Sequence, residues 1–131
     1  MQSRIQYGMV GGGEGAFIGE IHRIAARLDN HYELVAGAFS SEAERSSRSA
    51  KTLGISADRS YADFQEMAKK EQSRSDGIET VVIVTPNHLH LRIAEIFLKA
   101  GIHVICDKPL STTLEEAQTF AEFARKSDKI F

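Results

Sequence analysis

The chain has 131 residues, of which 42% are hydrophobic and 26% are charged, and this size and composition are typical of one globular domain. Its formal net charge of −2, with acidic and basic residues interspersed, argues against a nucleic-acid-binding surface and against a polybasic membrane patch. The apolar runs are too short to span a bilayer, the N-terminus lacks a signal-peptide pattern, and Cys106 is the only cysteine. We therefore expect a cytoplasmic protein without disulfides.

The first half of the chain alternates between strand patterns and helix patterns. Residues 4–10 are predicted to form a strand that leads into a glycine cluster. Apolar residues at helical spacing then predict a helix whose core face contains Ile18, Ile21, Ala25 and Leu28. The nearly continuous apolar run at 33–39 is typical of a strand covered on both faces. The next helix is expected to be capped by Ser40 or Ser41 and to end at Gly54.

The second half repeats this alternation. A short strand around 59–61, a helix over 63–72 and a strongly apolar strand at 79–85 are predicted in turn. A further helix closes at Gly101 and is followed by a strand at 103–106. The last helix has a capping pattern, in which Thr112 or Thr113 precedes Glu115 and Glu116. Its predicted core face consists of Leu114, Ala117, Phe120, Ala121 and Ala124.

Strands that alternate with helices predict parallel pairing through right-handed crossovers, and therefore a doubly wound α/β sheet of the Rossmann type. No linker, repeat or low-complexity segment divides residues 1–131, so we predict a single domain over this range. The chain stops where a further strand is due to begin. This predicts an unfinished sheet edge and a missing partner domain.

Ligands bind such sheets at the carboxyl ends of the strands, so the residues after each predicted strand are the candidates for a site. The first strand leads into Gly11, Gly13, Gly15 and Ala16, where glycines let the backbone approach a pyrophosphate at a helix N-terminus. Gly19 is a second candidate for the glycine that packs the helix, in a loop longer than usual. The alternative is a turn that binds no ligand.

The second strand ends at Ser40 and Ser41 and lacks the acidic residue that would accept a hydrogen bond from the ribose of NAD. These serines, together with Arg45 or Arg48, could instead accommodate the 2′-phosphate of NADP. The alternative is that a serine only caps the helix while the arginines lie in solvent. The sequence therefore predicts NAD or NADP without choosing between them.

The fourth predicted strand is followed by a segment that contains Thr85, Pro86, Asn87, His88 and His90. All of these except His88 are candidate cofactor contacts. The alternative is a simple turn, in which the proline bends the chain and the asparagine caps the next helix. The two histidines also form an H-x-H pattern, but positions i and i+2 diverge on a helix and no third ligand is suitably spaced. We therefore predict no metal site.

Asp107, Lys108 and Pro109 follow the last predicted strand. A lysine at this edge can donate a hydrogen bond to a substrate oxygen and stabilise the charge that develops there, so Lys108 is the predicted catalytic residue. Asp107 is predicted to accept from a ribose or to hold the lysine in place. Pro109 is predicted to fix the loop, with a cis peptide as one form. The alternative is a surface ion pair between Lys108 and Asp107.

These residues together resemble the N-terminal domain of the glucose–fructose oxidoreductase and inositol dehydrogenase family, Gfo/Idh/MocA. The resemblance covers essentially the whole chain and rests on three motifs in order: the glycine loop followed by His22, then VIVTPNHLH, then HVICDKPLS. It implies that the TPNxxH segment lies against the cofactor. It also implies that Lys108, matching the lysine of the family's E-K-P motif, contacts substrate and nicotinamide.

The sequence departs from the family pattern at three points. Asp107 stands where the family usually has glutamate, the glycine loop is longer than the common form, and residues 1–131 do not include the family's C-terminal α/β domain. In the family, that domain normally carries the substrate-binding sheet, the subunit interface and further acid–base residues. The substrate and the oligomeric state therefore stay open, with a homo-oligomer among the alternatives.

The motifs and the resemblance predict the cofactor half of an NAD(P)-dependent oxidoreductase. It would transfer hydride between nicotinamide and a hydroxyl-bearing carbon of a sugar, a polyol or a related small molecule, with little or no turnover from this chain alone. The rival hypothesis is a non-catalytic dinucleotide-binding module or redox sensor, which the D-K pair disfavours because a sensor needs no substrate-polarising lysine. An adenosylmethionine-binding domain is a further alternative, in which D-K-P has no evident role.

Overall fold

The structure, a computed structural model, describes residues 3–131. At its centre is a parallel sheet of four strands with the spatial order β2-β1-β3-β4. The strands are β1 (Ile5–Gly11), β2 (Tyr32–Ala38), β3 (Thr80–Val84) and β4 (His103–Cys106). Their ends lie within one residue of the predicted ones, and the predicted Rossmann-type α/β class is confirmed.

Helices cover both faces of this sheet. One face carries α1 (Phe17–Arg27) and α2 (Ala43–Thr52), and the other carries α3 (Phe64–Ser73), α4 (His90–Lys99) and α5 (Leu114–Arg125). Successive residues of β3 point to opposite faces, so Val81 and Ile83 join the core beneath α3 and α4, whereas Val82 and Val84 join the core beneath α1 and α2. None of the helices formed by residues 3–131 is long and apolar enough to cross a bilayer.

The short strand predicted around 59–61 is wrong. A 3₁₀ turn, Ala57–Arg59, and a single bridge from the next residue to β2 take its place. The side chains of Arg59 and Tyr61 both donate hydrogen bonds to the buried carboxylate of Glu71 in α3. The segment therefore meets β2 only through the bond from Tyr61 N to Gly37 O at 2.9 Å, while its side chains bind the helix layer.

Helix α1 turns a different face to the sheet from the one predicted. Gly19 is buried against Gly12, and this close approach sets the rotation of the helix, so that Ile18 and Ala26 pack on the core. Of the predicted core face, only Ile18 is at least partly buried. The consequence is an exposed apolar stripe along α1, formed by Phe17, Ile21, Ile24 and Leu28.

The start of α2 also differs from the prediction. Its N-cap is Glu42, which makes no side-chain capping bond, so the predicted cap by Ser40 or Ser41 is wrong. Ser40 Oγ instead accepts a hydrogen bond from Glu42 N at 3.1 Å, before the helix begins. The predicted end at Gly54 is confirmed: this glycine follows α2 with a φ of 73°, in the left-handed region that favours glycine.

The predicted cap of α5 is confirmed, because Thr113 Oγ1 accepts a hydrogen bond from Glu116 N at 3.2 Å. Of the predicted core face of this helix, Phe120 is buried, Ala117, Ala121 and Ala124 are partly buried, and Leu114 is exposed. Phe123, which was not predicted, packs on the core instead. The face is rotated toward α4, the helix on which α5 packs.

The last residues of the chain lie beside β4. Val104 N donates to Ile130 O at 2.9 Å, and Ile130 N donates to Nδ1 of His103 at 2.9 Å. Ile130 therefore occupies the place where the sequence predicts that a further strand begins.

Candidate cofactor-binding site

A crevice of about 380 Å³ opens at the carboxyl ends of β1, β2 and β3. The chain passes from β1 to β2 on one side and later to β3 on the other side, so the crevice lies at the topological switch point of the sheet. Eight of the predicted cofactor residues line it: Gly11, Gly13, Ala16, Ser40, Ser41, Arg45, Thr85 and Pro86. Gly15 belongs to the same loop but borders a neighbouring hollow between α1 and α2.

The glycine loop is held closely against the end of β2. Gly13 N donates to Phe39 O at 3.1 Å, and a Cβ atom on Gly13 would lie 2.7 Å from the same oxygen. The buried Ser49 of α2 accepts a hydrogen bond from Glu14 N at 2.9 Å. A side chain at position 13 would therefore push the loop away from β2.

The N-terminus of α1 is open to an anion. Its N-cap is Ala16, which lines the crevice and makes no side-chain capping bond to the first turn. The N–H groups of that turn have no partner within the helix and carry its positive dipole end. A Cβ atom on Gly19 would overlap Gly12, so the glycine that packs the helix is Gly19, as the longer-loop interpretation predicted. The loop and the helix end together fit a pyrophosphate.

Arg23 supports the loop from behind, and sequence reasoning missed it. Its Nη1 atom donates to Gly12 O at 2.7 Å and lies 3.4 Å from the sulfur of Met9. Burial lowers the pKa of this guanidinium, although the side chain is only partly enclosed. No motif marks Arg23 in the sequence; its role comes from the packing of α1 across the loop.

The lining also includes residues that were not predicted, among them Asp63 and Phe64 at the start of α3. One carboxylate oxygen of Asp63 accepts hydrogen bonds from Gln65 N at 2.7 Å and Glu66 N at 2.9 Å, which caps the helix. The same strand-end reasoning could have found both, because they follow the segment that was predicted as the third strand.

The two candidate arginines of α2 have different positions. Arg45 borders the crevice, and its half-exposed guanidinium lies 3.7 Å from Glu42. Arg48 is not among the lining residues and lies 3.4 Å from the carboxylate of Glu14. Only Arg45 is therefore placed to meet a group bound in the crevice.

His90, the first residue of α4, is only 1% exposed. Its Nδ1 lies 2.8 Å from Pro109 O and its Nε2 lies 2.8 Å from Thr85 O. Both polar atoms of the ring thus face protein carbonyl groups, which directs the ring away from direct contact with a ligand. Asn87 begins the 3₁₀ turn before α4, does not cap this helix through its side chain, and is not among the residues that line the crevice.

The residues after β4 lie beside the crevice but do not line it. Asp107 and Lys108 border a separate hollow next to β4. The Lys108–Pro109 peptide is cis, which is one of the two forms that the sequence allowed. Asp107 Oδ1 lies 3.1 Å from Nε2 of His22 in α1. The predicted support of Lys108 by Asp107 is therefore replaced by a contact between Asp107 and His22.

Cys106 precedes this charged pair and is half-buried. Burial, with a smaller contribution from the neighbouring Asp107 carboxylate, raises the pKa of its thiol to about 11. The thiol is therefore neutral near pH 7. Within residues 3–131, no group of three or more histidine, cysteine or acidic side chains is arranged to hold a metal ion.

Comparison with known proteins gives consistent relatives. Residues 5–131 match the family model GFO_IDH_MocA, described as an oxidoreductase family with an NAD-binding Rossmann fold. The solved structure of an oxidoreductase from Sinorhizobium meliloti is 58% identical, with a TM-score of 0.95 over 99% of this chain and 36% of that chain. An inositol dehydrogenase homologue from Azotobacter vinelandii, solved with NADH and myo-inositol, is 42% identical, with a TM-score of 0.93 over 98% of this chain and 34% of that chain.

Among curated proteins, the uncharacterized oxidoreductase YfiI from Bacillus subtilis is 45% identical over 127 residues. These residues are 96% of this chain and 32% of that protein. The chain thus spans about a third of the length of the relatives that it matches.

Proposed function

The chain belongs to the GFO_IDH_MocA family of oxidoreductases and is an NAD-binding Rossmann domain, and from this premise we propose that it contributes the cofactor half of a dehydrogenase for a sugar, a polyol or a related small molecule. The observation that carries this function is the glycine loop, which meets the uncapped N-terminus of α1 in a crevice at the switch point of the sheet.

The two ends of the crevice would hold different parts of the dinucleotide. Backbone N–H groups of the glycine loop and of the first turn of α1 donate hydrogen bonds to the pyrophosphate. Ser40 and Ser41 follow β2 and Arg45 lies in the first turn of α2, so these three would meet the adenosine ribose. Thr85 and Pro86, at the end of β3, border the opposite side, where the nicotinamide half would lie.

Lys108 is the polar catalytic group that this chain would supply. When bound, the nicotinamide cofactor supplies the hydride-transfer chemistry. The Nζ atom of Lys108 donates a hydrogen bond to the substrate oxygen on which negative charge develops as the carbon gains or loses hydride. Its exposed position after β4, together with the pairing of Asp107 with His22, leaves this amine available to a substrate.

The substrate class is supported by the relatives. The inositol dehydrogenase homologue from Azotobacter vinelandii was solved with myo-inositol, which carries several hydroxyl-bearing carbons. Because this chain spans about a third of such proteins, we expect little or no turnover from it alone. Formation of NADH by the purified chain with NAD⁺ and simple polyols would contradict that expectation.

A second candidate function is a non-catalytic dinucleotide-binding module or redox sensor. It is favoured by one observation, which is that Asp107 and Lys108 border a hollow separate from the 380 Å³ crevice. In a sensor, Lys108→Ala would change nothing that depends on the cofactor. In a dehydrogenase, the same substitution should remove turnover in the complete protein.

Calorimetric titration of the purified chain with NADH, and separately with NADPH, tests the cofactor site. We expect binding of at least one of them with a dissociation constant on the order of micromolar. Absence of binding at millimolar concentrations, from a chain with a native far-ultraviolet spectrum and a cooperative unfolding transition, would contradict the proposed function.

Three broader features belong to the same hypothesis. We treat residues 1–131 as one cofactor-binding domain, which the family match to residues 5–131 supports. A homo-oligomer is supported by the exposed apolar stripe of α1, and sedimentation velocity at several concentrations tests it. A cytoplasmic location is supported by the single cysteine and by the nicotinamide chemistry, and imaging of the tagged protein in its host tests it.

A further inference from the structure

His90 lies between the two loops that carry the TPN and DKP motifs. The first loop follows β3 and contains Thr85, and the second follows β4 and contains Pro109. The imidazole ring spans the gap between them, with one nitrogen 2.8 Å from a carbonyl oxygen of each loop. Within residues 3–131, no other hydrogen bond that involves a side chain joins these two loops.

The chemistry of the two contacts restricts how the ring can make them. A carbonyl oxygen only accepts hydrogen bonds, so each short contact needs an N–H group on the ring. A ring that carries hydrogen on one nitrogen satisfies one loop and directs a lone pair at the carbonyl oxygen of the other. Hydrogen on both nitrogens satisfies both loops but makes the ring an imidazolium cation, and the two carbonyl dipoles then offset part of the cost of enclosing that charge.

We propose that His90 is a positioning residue, which donates a hydrogen bond to each loop and thereby fixes the Lys108 segment relative to the end of β3. This role rests on the proposed function, because it concerns how the cofactor-side loop and the substrate-side lysine are held in one geometry. The ring does not touch either ligand. It acts through the Thr85–Pro86 and Pro109–Leu110 peptide groups, whose carbonyl oxygens it contacts.

Burial explains why this role falls on the first residue of α4. The ring is enclosed, so water does not compete for its nitrogens, and a hydrogen bond in such an environment is stronger than one at the surface. The backbone of His90 is fixed by the helix, and the preceding 3₁₀ turn places it directly after the TPN loop. The distance between the two loops is therefore set by a rigid element rather than by loop flexibility.

Two substitutions separate the two bonds. The side-chain amide of asparagine reproduces a donor near the Nδ1 position, so His90→Asn keeps the bond to Pro109 and loses the bond to Thr85. The longer side chain of glutamine places its amide near the Nε2 position, so His90→Gln keeps the bond to Thr85 and loses the bond to Pro109. Ile93→Val, a cavity-forming change in the same helix with a fully buried side chain, is the stability control.

The readouts are NADH affinity and the backbone amide signals of the two loops in a nitrogen–proton correlation spectrum. We expect each His90 variant to weaken NADH binding by about tenfold or more, because a misplaced loop loses a contact of ordinary hydrogen-bond strength. The Gln variant should shift the signals of Asp107 and Lys108, and the Asn variant should shift those of Thr85 and Asn87. Ile93→Val should leave NADH affinity and the amide signals of both loops unchanged.

Three outcomes would overturn the role. They are NADH affinity unchanged in both His90 variants, equal disturbance of both loops in all three variants, and ring nitrogen shifts in the wild type that show hydrogen on only one nitrogen. Failure of the wild type to bind NADH would instead contradict the proposed function. In that case the loop signals would still test the coupling by His90.

Discussion

The Nε2 atom of His22 lies 3.1 Å from Oδ1 of Asp107, and this contact joins helix α1 to the end of β4. Both side chains are partly enclosed, with 24% and 21% of their surfaces exposed. One oxygen of the carboxylate is thereby oriented, while the second has no partner among the described residues. The contact links the helix that follows the glycine loop to the residue before Lys108, and so connects the two motifs that the sequence placed far apart.

We expect His22→Leu to lower the free energy of unfolding by no more than about 1 kcal/mol, because an exposed or partly exposed pair contributes little. The same variant should bind NADH about threefold to tenfold more weakly, because Asp107 is no longer held in one orientation. Chemical denaturation and calorimetric titration measure the two effects. His31→Leu is the control, because it removes a longer and more exposed contact with Asp29. Equal small losses from both variants would argue against a role for His22 at the site.

The sheet could be predicted from the sequence because its strands are short apolar runs, and strand-end reasoning then located most of the crevice. Two of the failures share one physical cause, which is tertiary contact that the spacing of apolar residues does not encode. The pairing of Arg59 and Tyr61 with Glu71 removes a predicted strand. The close approach of Gly12 and Gly19 rotates α1 by an amount that the spacing of apolar residues cannot indicate.

The position of His90 illustrates the same limit within the site. Its place in the TPNxxH motif suggested a ligand contact, but its partners come from two loops whose proximity depends on the pairing of β3 with β4. Arg23 has no motif at all, and its bond to Gly12 O exists only because α1 crosses the loop. Sequence patterns identified where the site lies, whereas the supporting contacts required the packed structure.

Cofactor preference should depend on Arg45 and not on Arg48. If a 2′-phosphate binds at the end of β2, Arg45→Ala should weaken NADPH binding by about tenfold or more, the usual loss for a hydrogen bond to a charged group, and leave NADH binding unchanged. Arg48→Ala is the matched control on the same helix, because Arg48 does not line the crevice and its guanidinium pairs with Glu14. Calorimetric titrations of the wild type and of both variants with NADPH and with NADH measure these changes in affinity. Equal effects of Arg45→Ala on the two cofactors would show that this side chain does not select between them.

Gly13→Ala should disturb the loop because its Cβ atom would lie 2.7 Å from Phe39 O and 2.8 Å from Ser49 Oγ. We expect a loss of unfolding free energy of about 1–3 kcal/mol from this overpacking and a loss of detectable NADH binding. Gly54→Ala is the control, because it introduces backbone strain of about 1–2 kcal/mol after α2, with no atom within 4 Å of the new Cβ. The control variant should bind NADH normally. Normal binding by the Gly13 variant would place the pyrophosphate elsewhere.

Cys106 should react slowly with iodoacetamide at pH 8 and faster as the pH rises, because burial and the Asp107 carboxylate raise the pKa of its thiol to about 11. An unperturbed thiol with a pKa of about 8.5 is substantially ionised at pH 8, whereas this one is ionised to roughly one part in a thousand. The unfolded chain ionises first, so the free energy of unfolding should also fall as pH rises from about 8.5 toward 11. Asp107→Asn should accelerate labelling. A labelling rate that levels off near pH 8.5 in the folded protein would contradict the shift.

Removal of the buried carboxylate of Glu71 should be the most destabilising single change considered. The side chain is 1% exposed and accepts hydrogen bonds from Arg59, from the hydroxyl group of Tyr61 at 2.8 Å and from Ile78 N at 3.1 Å. Glu71→Leu leaves the enclosed guanidinium of Arg59 with only Asp76, whose carboxylate is exposed and lies 3.7 Å away. Loss of one partner of a buried ion pair typically costs about 3–5 kcal/mol of unfolding free energy.

The double variant Arg59→Met with Glu71→Leu should be less destabilised than the sum of the single variants, because it leaves neither charge uncompensated. Urea unfolding of the wild type, Arg59→Met, Glu71→Leu and the double variant completes the double-mutant cycle. Glu95→Gln is the control, because it removes an exposed i,i+4 pair with Lys99, for which a change of about 0.5 kcal/mol or less is expected. Additive single effects, or a Glu71 variant as stable as the Glu95 variant, would show that the network does not fasten Arg59 and Tyr61 to the end of α3.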